Sequence, residues 1–134
     1  LLFEEEILSL GDLRLWIPNH RLYTYPDVFV IQGEPVFQAQ RRDTILNPCL
    51  IIEVLSKSTK DYDRTDKFRY YRSIAEFREY LLVDQYERVV EYYTKLDDRS
   101  WLYRSYESDV ETITVASVEL EIAIEDIYEG IEFK

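Results

Sequence analysis

A carboxylate inside an apolar strand needs a partner, and this chain carries one at Glu53, within Cys49-Leu50-Ile51-Ile52-Glu53-Val54-Leu55. Burying an unpaired carboxylate costs at least several kcal/mol, so a metal ion or a cation is expected beside it. The spacing is equally compatible with a Glu53 that sits near the strand end and reaches solvent. A second acid, Asp27, stands in Tyr25-Pro26-Asp27-Val28-Phe29-Val30-Ile31, where alternation puts it on one face with Tyr25, Phe29 and Ile31. A Pro-Asp pair is also common in a turn that enters a strand. Farther on, at 100° per residue, Asp63, Lys67, Tyr70 and Ile74 share one face of a helix, with Tyr71 beside them. Lys67 thus lies among apolar residues. Its plainest partner is Asp63 at i−4, an interaction of ~0.2–0.5 kcal/mol; its sharper one is Glu53. Two strand carboxylates and a lysine form the constellation that metal-assisted phosphodiester hydrolysis needs. Oxygen ligands suit Mg²⁺, and an ammonium can orient water and stabilise charge developing on phosphate.

The elements that must position these groups follow from periodicity. Residues 13–17 alternate and end at Pro18, which predicts a strand; 19–24 read as a polar turn, and 25–31 as a second strand closed by Gly33 and Pro35. Residues 36–47 are polar and irregular. The near-continuous apolar run 48–55 predicts a strand covered on both faces. The period then changes to about 3.6, predicting a helix over 61–74 capped by Ser58 or Thr59. Strands are expected at 79–83, in a hairpin of 88–94 and 101–106 turning at 96–99, and at 112–115 and 119–122, with a short helix at 124–128. The order is that of an α/β mixed sheet with a helical crossover and a β-rich C-terminal tail.

The 134 residues have room for one domain, 1–134, with 46% hydrophobic and 15% aromatic content, too much for a disordered chain. The single cysteine, Cys49, cannot form an internal bridge and points to a reducing, cytoplasmic setting. No signal peptide and no stretch of roughly 20 apolar residues is present, so no membrane partner is expected. The chain has no Met and starts at Leu1, which suggests that its native beginning is missing. The net charge of −11 argues against broad, nonspecific DNA binding. From Lys57 to Arg72, however, six basic and three acidic residues give a local +3, enough to serve a phosphate site.

The runs LWIP (15–18), YPDVFVI (25–31), IIEVLSKSTKDYDRTDKF (51–68) and EYLLVD (79–84) resemble the Uma-type restriction endonuclease family of the PD-(D/E)XK nuclease superfamily, common in cyanobacteria. The resemblance runs from about residue 12 to the C-terminus. It implies a restriction-endonuclease-like core that binds Mg²⁺, or Mn²⁺ in its place, and cleaves DNA. Asp27 matches the motif aspartate and Glu53 the (D/E) position, and the backbone carbonyl of Val54 is expected to join them as a ligand. The superfamily lysine belongs two residues after the glutamate, where this chain has Leu55. The resemblance implies that Lys67 takes its place, supported by Asp63, with Lys57 as second candidate. It also implies a helix ahead of the first core strand. Only LLFEEEILSL stands there, so the first core helix is expected to be missing and the domain truncated at its N-terminus.

Two functions of different class follow. The first is an Mg²⁺-dependent DNA endonuclease using Asp27, Glu53 and Lys67. The second is a catalytically impaired nuclease fold that binds or assembles, favoured by the missing helix and the −11 charge. His20, the only histidine, lies in a turn with no second imidazole, so no metal role is expected. Tyr92, Tyr93, Tyr103 and Tyr106 are expected to form cross-strand pairs, a homodimer surface being the other reading.

Overall fold

The computed structural model describes residues 13–129. The expectations for a missing first helix and a truncated beginning fall on residues 1–12, outside the described residues. The centre is a five-stranded sheet in the order β3-β5-β6-β7-β8, formed by β3 (Val28–Ile31), β5 (Pro48–Leu55), β6 (Glu79–Asp84), β7 (Val90–Asp97) and β8 (Ser100–Tyr106). Within this sheet only β5 and β6 run parallel. A parallel pair needs a crossover, and the helical segment after β5 supplies it. That segment is α1 (Lys60–Tyr62), a π-helical turn (Asp63–Lys67) and α2 (Phe68–Tyr71).

Each sheet face has its own core. The helix side packs Phe29, Ile31, Ile51, Leu55, Phe68, Tyr71, Phe77 and Tyr80 with residues of a small second sheet in the order β2 (Leu22–Thr24), β1 (Arg14–Ile17), β4 (Thr44–Ile45). The other side packs Val30, Leu50, Leu81 and Tyr92 under the C-terminal β9 (Thr112–Val115), β10 (Leu120–Ala123) and α3 (Ile124–Ile127). Strict alternation along β5 explains the division. Ile51, Glu53 and Leu55 point to the helix, and Leu50, Ile52 and Val54 away from it. The crossover is pinned by aromatic packing. Phe68 stacks on Tyr80 at 5.1 Å, Tyr71 meets the same ring edge-on at 5.7 Å, and Tyr80 Oη donates to the Asp63 carbonyl at 2.9 Å.

Several local expectations need correction. Within 19–24 the chain makes a 3₁₀ turn (Pro18–His20) and then strand β2 (Leu22–Thr24), antiparallel to β1 (Arg14–Ile17). Arg21, at φ 51°, reverses the chain between them. Residues 36–47 contain β4 (Thr44–Ile45), parallel to β1. The second predicted strand is shorter, beginning at Val28. The helix starts at Lys60 and its α-helical part ends at Tyr71. Thr59 occupies the N-cap position without capping the helix, because its hydroxyl bonds Ser56 Oγ at 2.7 Å. The hairpin turn is tighter than 96–99, with Asp97 and Ser100 already paired. Of the four tyrosines, Tyr93 and Tyr103 form the direct cross-strand pair, at 5.0 Å. Tyr92 instead donates to the buried carboxylate of Glu79.

Candidate active site

The candidate residues meet where β3 begins and β5 ends. The last pair of their antiparallel ladder is Val28 with Ile52, so Asp27 and Glu53 occupy the next opposed positions on the helix-facing side. Pro26 precedes them, and β3 pairs no farther. The Asp27 side chain takes over from the ladder: its Oδ2 accepts the Val54 N–H at 2.8 Å, while the Asp27 N–H donates to Glu53 Oε1 at 3.2 Å. The two carboxylates are therefore linked across one strand end. An extended residue directs its N–H and C=O to the same edge, so the Val54 carbonyl leaves β5 on the side of Asp27.

Glu53 is 4% exposed and so cannot reach solvent freely. The Lys67 ammonium donates to Glu53 Oε2 and lies 3.6 Å from Asp63 Oδ1. Both predicted partners of Lys67 are thus real, and the contact with Glu53 is the closer. Asp63 is 2% exposed, and its Oδ1 has no hydrogen-bond partner among the described residues. Burial raises the Glu53 carboxyl to about 7; Lys67 opposes that rise, and Asp63 and Asp27 add to it. Burial alone would lower the Lys67 ammonium, but the attraction of Glu53 and Asp63 prevails and its pKa is raised. The lysine stays charged while Glu53 exchanges its proton near neutrality. Tyr71 and Tyr80 line the same region, and burial followed by the Glu53 charge raises both phenols, keeping them neutral. Tyr80 was not among the sequence candidates. Its signal was its place opposite Ile51 in the β5–β6 register, two residues from Glu53.

The structure does not bring Lys57 to this cluster. Its ammonium lies over the Tyr86 ring, 5.1 Å from the centroid. His20 packs its ring against Tyr70 at 4.7 Å. By formal charge, three carboxylates and one lysine leave the cluster at −2, an excess that suits a divalent cation. No group of three or more His, Cys, Asp or Glu side chains among the described residues could enclose an ion. Two carboxylates and a carbonyl are a hard, incomplete oxygen set. It fits Mg²⁺, which keeps several waters and takes further oxygens from substrate phosphate.

Residues 2–125 match the model of the Uma2 family, described as "Putative restriction endonuclease". The chain belongs to this family. Two relatives come from Synechocystis sp. (strain PCC 6803). The protein sll1609 is 47% identical over 71% of this chain and 54% of its own length; slr1290 is 39% identical over 92% and 63%. The chain thus spans little more than half the length of these curated relatives. A crystal structure from Anabaena variabilis, described as a "putative nuclease belonging to DUF820", superposes with a TM-score of 0.70. It covers 92% of this chain and 69% of its own at 17% identity, a likeness of fold. Among the described residues, no helix of this Uma2 member is long and apolar enough to cross a membrane.

Proposed function

We propose that this Uma2 domain is an Mg²⁺-dependent DNA endonuclease, with Asp27, Glu53 and the Val54 carbonyl as metal ligands and Lys67 as the catalytic cation. The observation that carries the reading is the meeting of Asp27, Glu53 and Lys67 at one sheet end, with Glu53 buried and pushed up to about 7. Family membership supports the reaction class. When bound, Mg²⁺, or Mn²⁺ in its place, supplies Lewis-acid polarisation of the scissile phosphate.

The chain's own residues do the rest. Glu53, ionised once it serves the metal, accepts a hydrogen bond from the attacking water and holds its lone pair toward phosphorus. Lys67 Nζ, held between Glu53 and Asp63, faces the non-bridging oxygens on which negative charge accumulates. Asp27, tied to the Val54 N–H, keeps the strand end from fraying and fixes the second carboxylate. Water oxygen bonds to phosphorus as the bond to the leaving sugar oxygen breaks, giving a phosphate on one fragment and a hydroxyl on the other.

A second reading, a nuclease fold that binds without cutting, is favoured by the net charge of −11. One assay separates the two. Plasmid and oligonucleotide DNA are incubated with wild type and Glu53→Ala in Mg²⁺ and in Mn²⁺. Cleavage by wild type that the substitution removes is expected. Absence of cleavage by wild type in both metals refutes the endonuclease reading.

A further inference from the structure

A second buried acid, Glu91, stands on the same face of the sheet as Glu53 and takes no part in the proposed metal set. Glu53 is opposite Leu82, and Leu82 is opposite Glu91, so the three form one row across β5, β6 and β7. Along β7, Val90 and Tyr92 pack under the C-terminal elements and Tyr93 packs on the helix side. Alternation therefore turns Glu91 toward the helix, as it does Leu82 and Glu53. At a strand spacing of about 4.8 Å, the backbones carrying the two acids lie roughly 10 Å apart.

Each acid of the row holds one cation of the crossover. Lys67 donates to Glu53, and Arg64, three residues earlier, donates from Nε to Glu91 Oε2 at 2.6 Å. The other oxygen of Glu91 accepts from Tyr103 Oη at 2.9 Å, so the carboxylate is fixed from two directions. Between the two pairs, Tyr80 Oη of β6 donates to the Asp63 carbonyl at 2.9 Å. Three adjacent strands thus hold the π-helical turn by one polar contact each, with Arg64 reaching to one side of β6 and Lys67 to the other. A helical segment this short has little stability of its own, so its orientation is set by what holds it. The Arg64 and Glu91 side chains are 28% and 11% exposed, against 52% and 50% for the surface pair Arg41–Asp43. Exposed pairs contribute little, whereas breaking one withdrawn from water leaves a charge without compensation.

We infer that Arg64 and Glu91 are positioning residues for Lys67. Their ion pair, braced by Tyr103, holds the far side of the turn and so keeps the Lys67 ammonium directed at Glu53. The inference rests on the proposed role of Lys67 but concerns how its ammonium is held, and its main readout needs no DNA. Correlation NMR of the lysine ammonium groups, on the full chain in EDTA, should show a slowly exchanging Lys67 signal, identified by its loss in Lys67→Ala. Arg64→Ala and Glu91→Gln should each speed that exchange at least tenfold or erase the signal, about the scale on which local opening removes protection. Arg64→Lys should recover part of the protection, and Tyr103→Phe should produce a smaller change in the same direction. Cooperative urea unfolding checks that each variant is folded. In DNA cleavage, Arg64→Ala and Glu91→Gln should lower kcat by about 10- to 100-fold and leave KM nearly unchanged. A Lys67 signal unaltered in both variants overturns the inference. So does a Glu91→Gln variant that binds DNA more tightly and with lower KM, because an Arg64 freed from its acid would then be a direct phosphate contact. The two readings fail separately. A Lys67 signal that depends on Arg64, with no cleavage by wild type in Mg²⁺ or Mn²⁺, sinks the nuclease and leaves the positioning pair. Cleavage by wild type with a Lys67 signal indifferent to Arg64 and Glu91 does the reverse.

Discussion

Replacing Glu53 with glutamine tests the electrostatics of the site without any substrate. In the unfolded chain Glu53 releases its proton near its ordinary 4.5; in the folded protein burial holds the proton until about 7. Between these values the folded state binds more protons than the unfolded one, so stability falls as pH rises. The contribution, roughly 3 kcal/mol at 1.36 kcal/mol per pKa unit, is fully present below 4.5 and lost as pH passes 7. Integrated from pH 5 to pH 8, the loss is about 2.5 kcal/mol. Glutamine has no proton to lose. The neutral carboxyl that wild type carries at pH 5 has, like the amide, one strong acceptor oxygen, so the variant starts close to wild type there and exceeds it by about 2.5 kcal/mol at pH 8. Urea unfolding in EDTA at half-unit pH steps measures the difference directly, and groups that titrate alike in both proteins cancel. In thermal unfolding the differential is roughly 8–10 °C. Parallel curves from pH 5 to pH 8 would refute the argument, because they would mean that Glu53 ionises in the folded protein as it does in the unfolded chain.

The remaining predictions concern the metal and the lysines. The apparent Mn²⁺ affinity, read by titration calorimetry, should fall about tenfold per pH unit below pH 7, since the ion must displace the Glu53 proton; a flat profile from pH 5 to pH 7 would exclude Glu53 as a ligand. Lys67→Ala should reduce turnover at least a hundredfold while changing metal affinity less than Asp27→Ala does, and Lys57→Ala should have a much smaller effect on turnover. Steady-state rates and Mn²⁺ titrations on the three variants check this, and equal losses from Lys67→Ala and Lys57→Ala would remove Lys67 from its catalytic role.

What could be read in the sequence depended on how far each signal was local. The β5 run was legible to the residue, because a central strand covered on both faces is apolar at nearly every position and Glu53 stands out against it. The faces of Asp27 and Lys67 were legible because alternation and helical periodicity are properties of the chain itself. Strand β4 was not legible: two residues, Thr44 and Ile45, become a strand only because β1 lies alongside them. The polar letters of 19–24 hid β2 for a related reason, since β2 takes its pairing from β1 and its half-exposed Leu22 and Tyr23 carry no strong apolar pattern. The π-helical turn at Asp63–Lys67 has no sequence signature at all.

That turn joins the fold to the site. A π turn widens the helix by one residue, and such turns recur at functional sites. Here it spans the two residues, Asp63 and Lys67, that face Glu53. The turn is held by specific contacts rather than by helix propensity: Tyr80 Oη holds the Asp63 carbonyl, Thr65 Oγ1 holds the Asp61 carbonyl at 2.6 Å, and Phe68 stacks on Tyr80 immediately after the turn. Tyr80 in turn sits on β6 beside Ile51 of β5, the strand that carries Glu53. The same ring therefore fixes the helix that delivers Lys67 and packs against the strand that delivers its partner. Burying one lysine between two acids is poor design for stability alone, since well-packed apolar residues of similar volume are often as good or better. A chain that keeps this cluster, widens a helix to build it and ends a strand on Asp27 to complete it has placed its charge where a chemical role can use it.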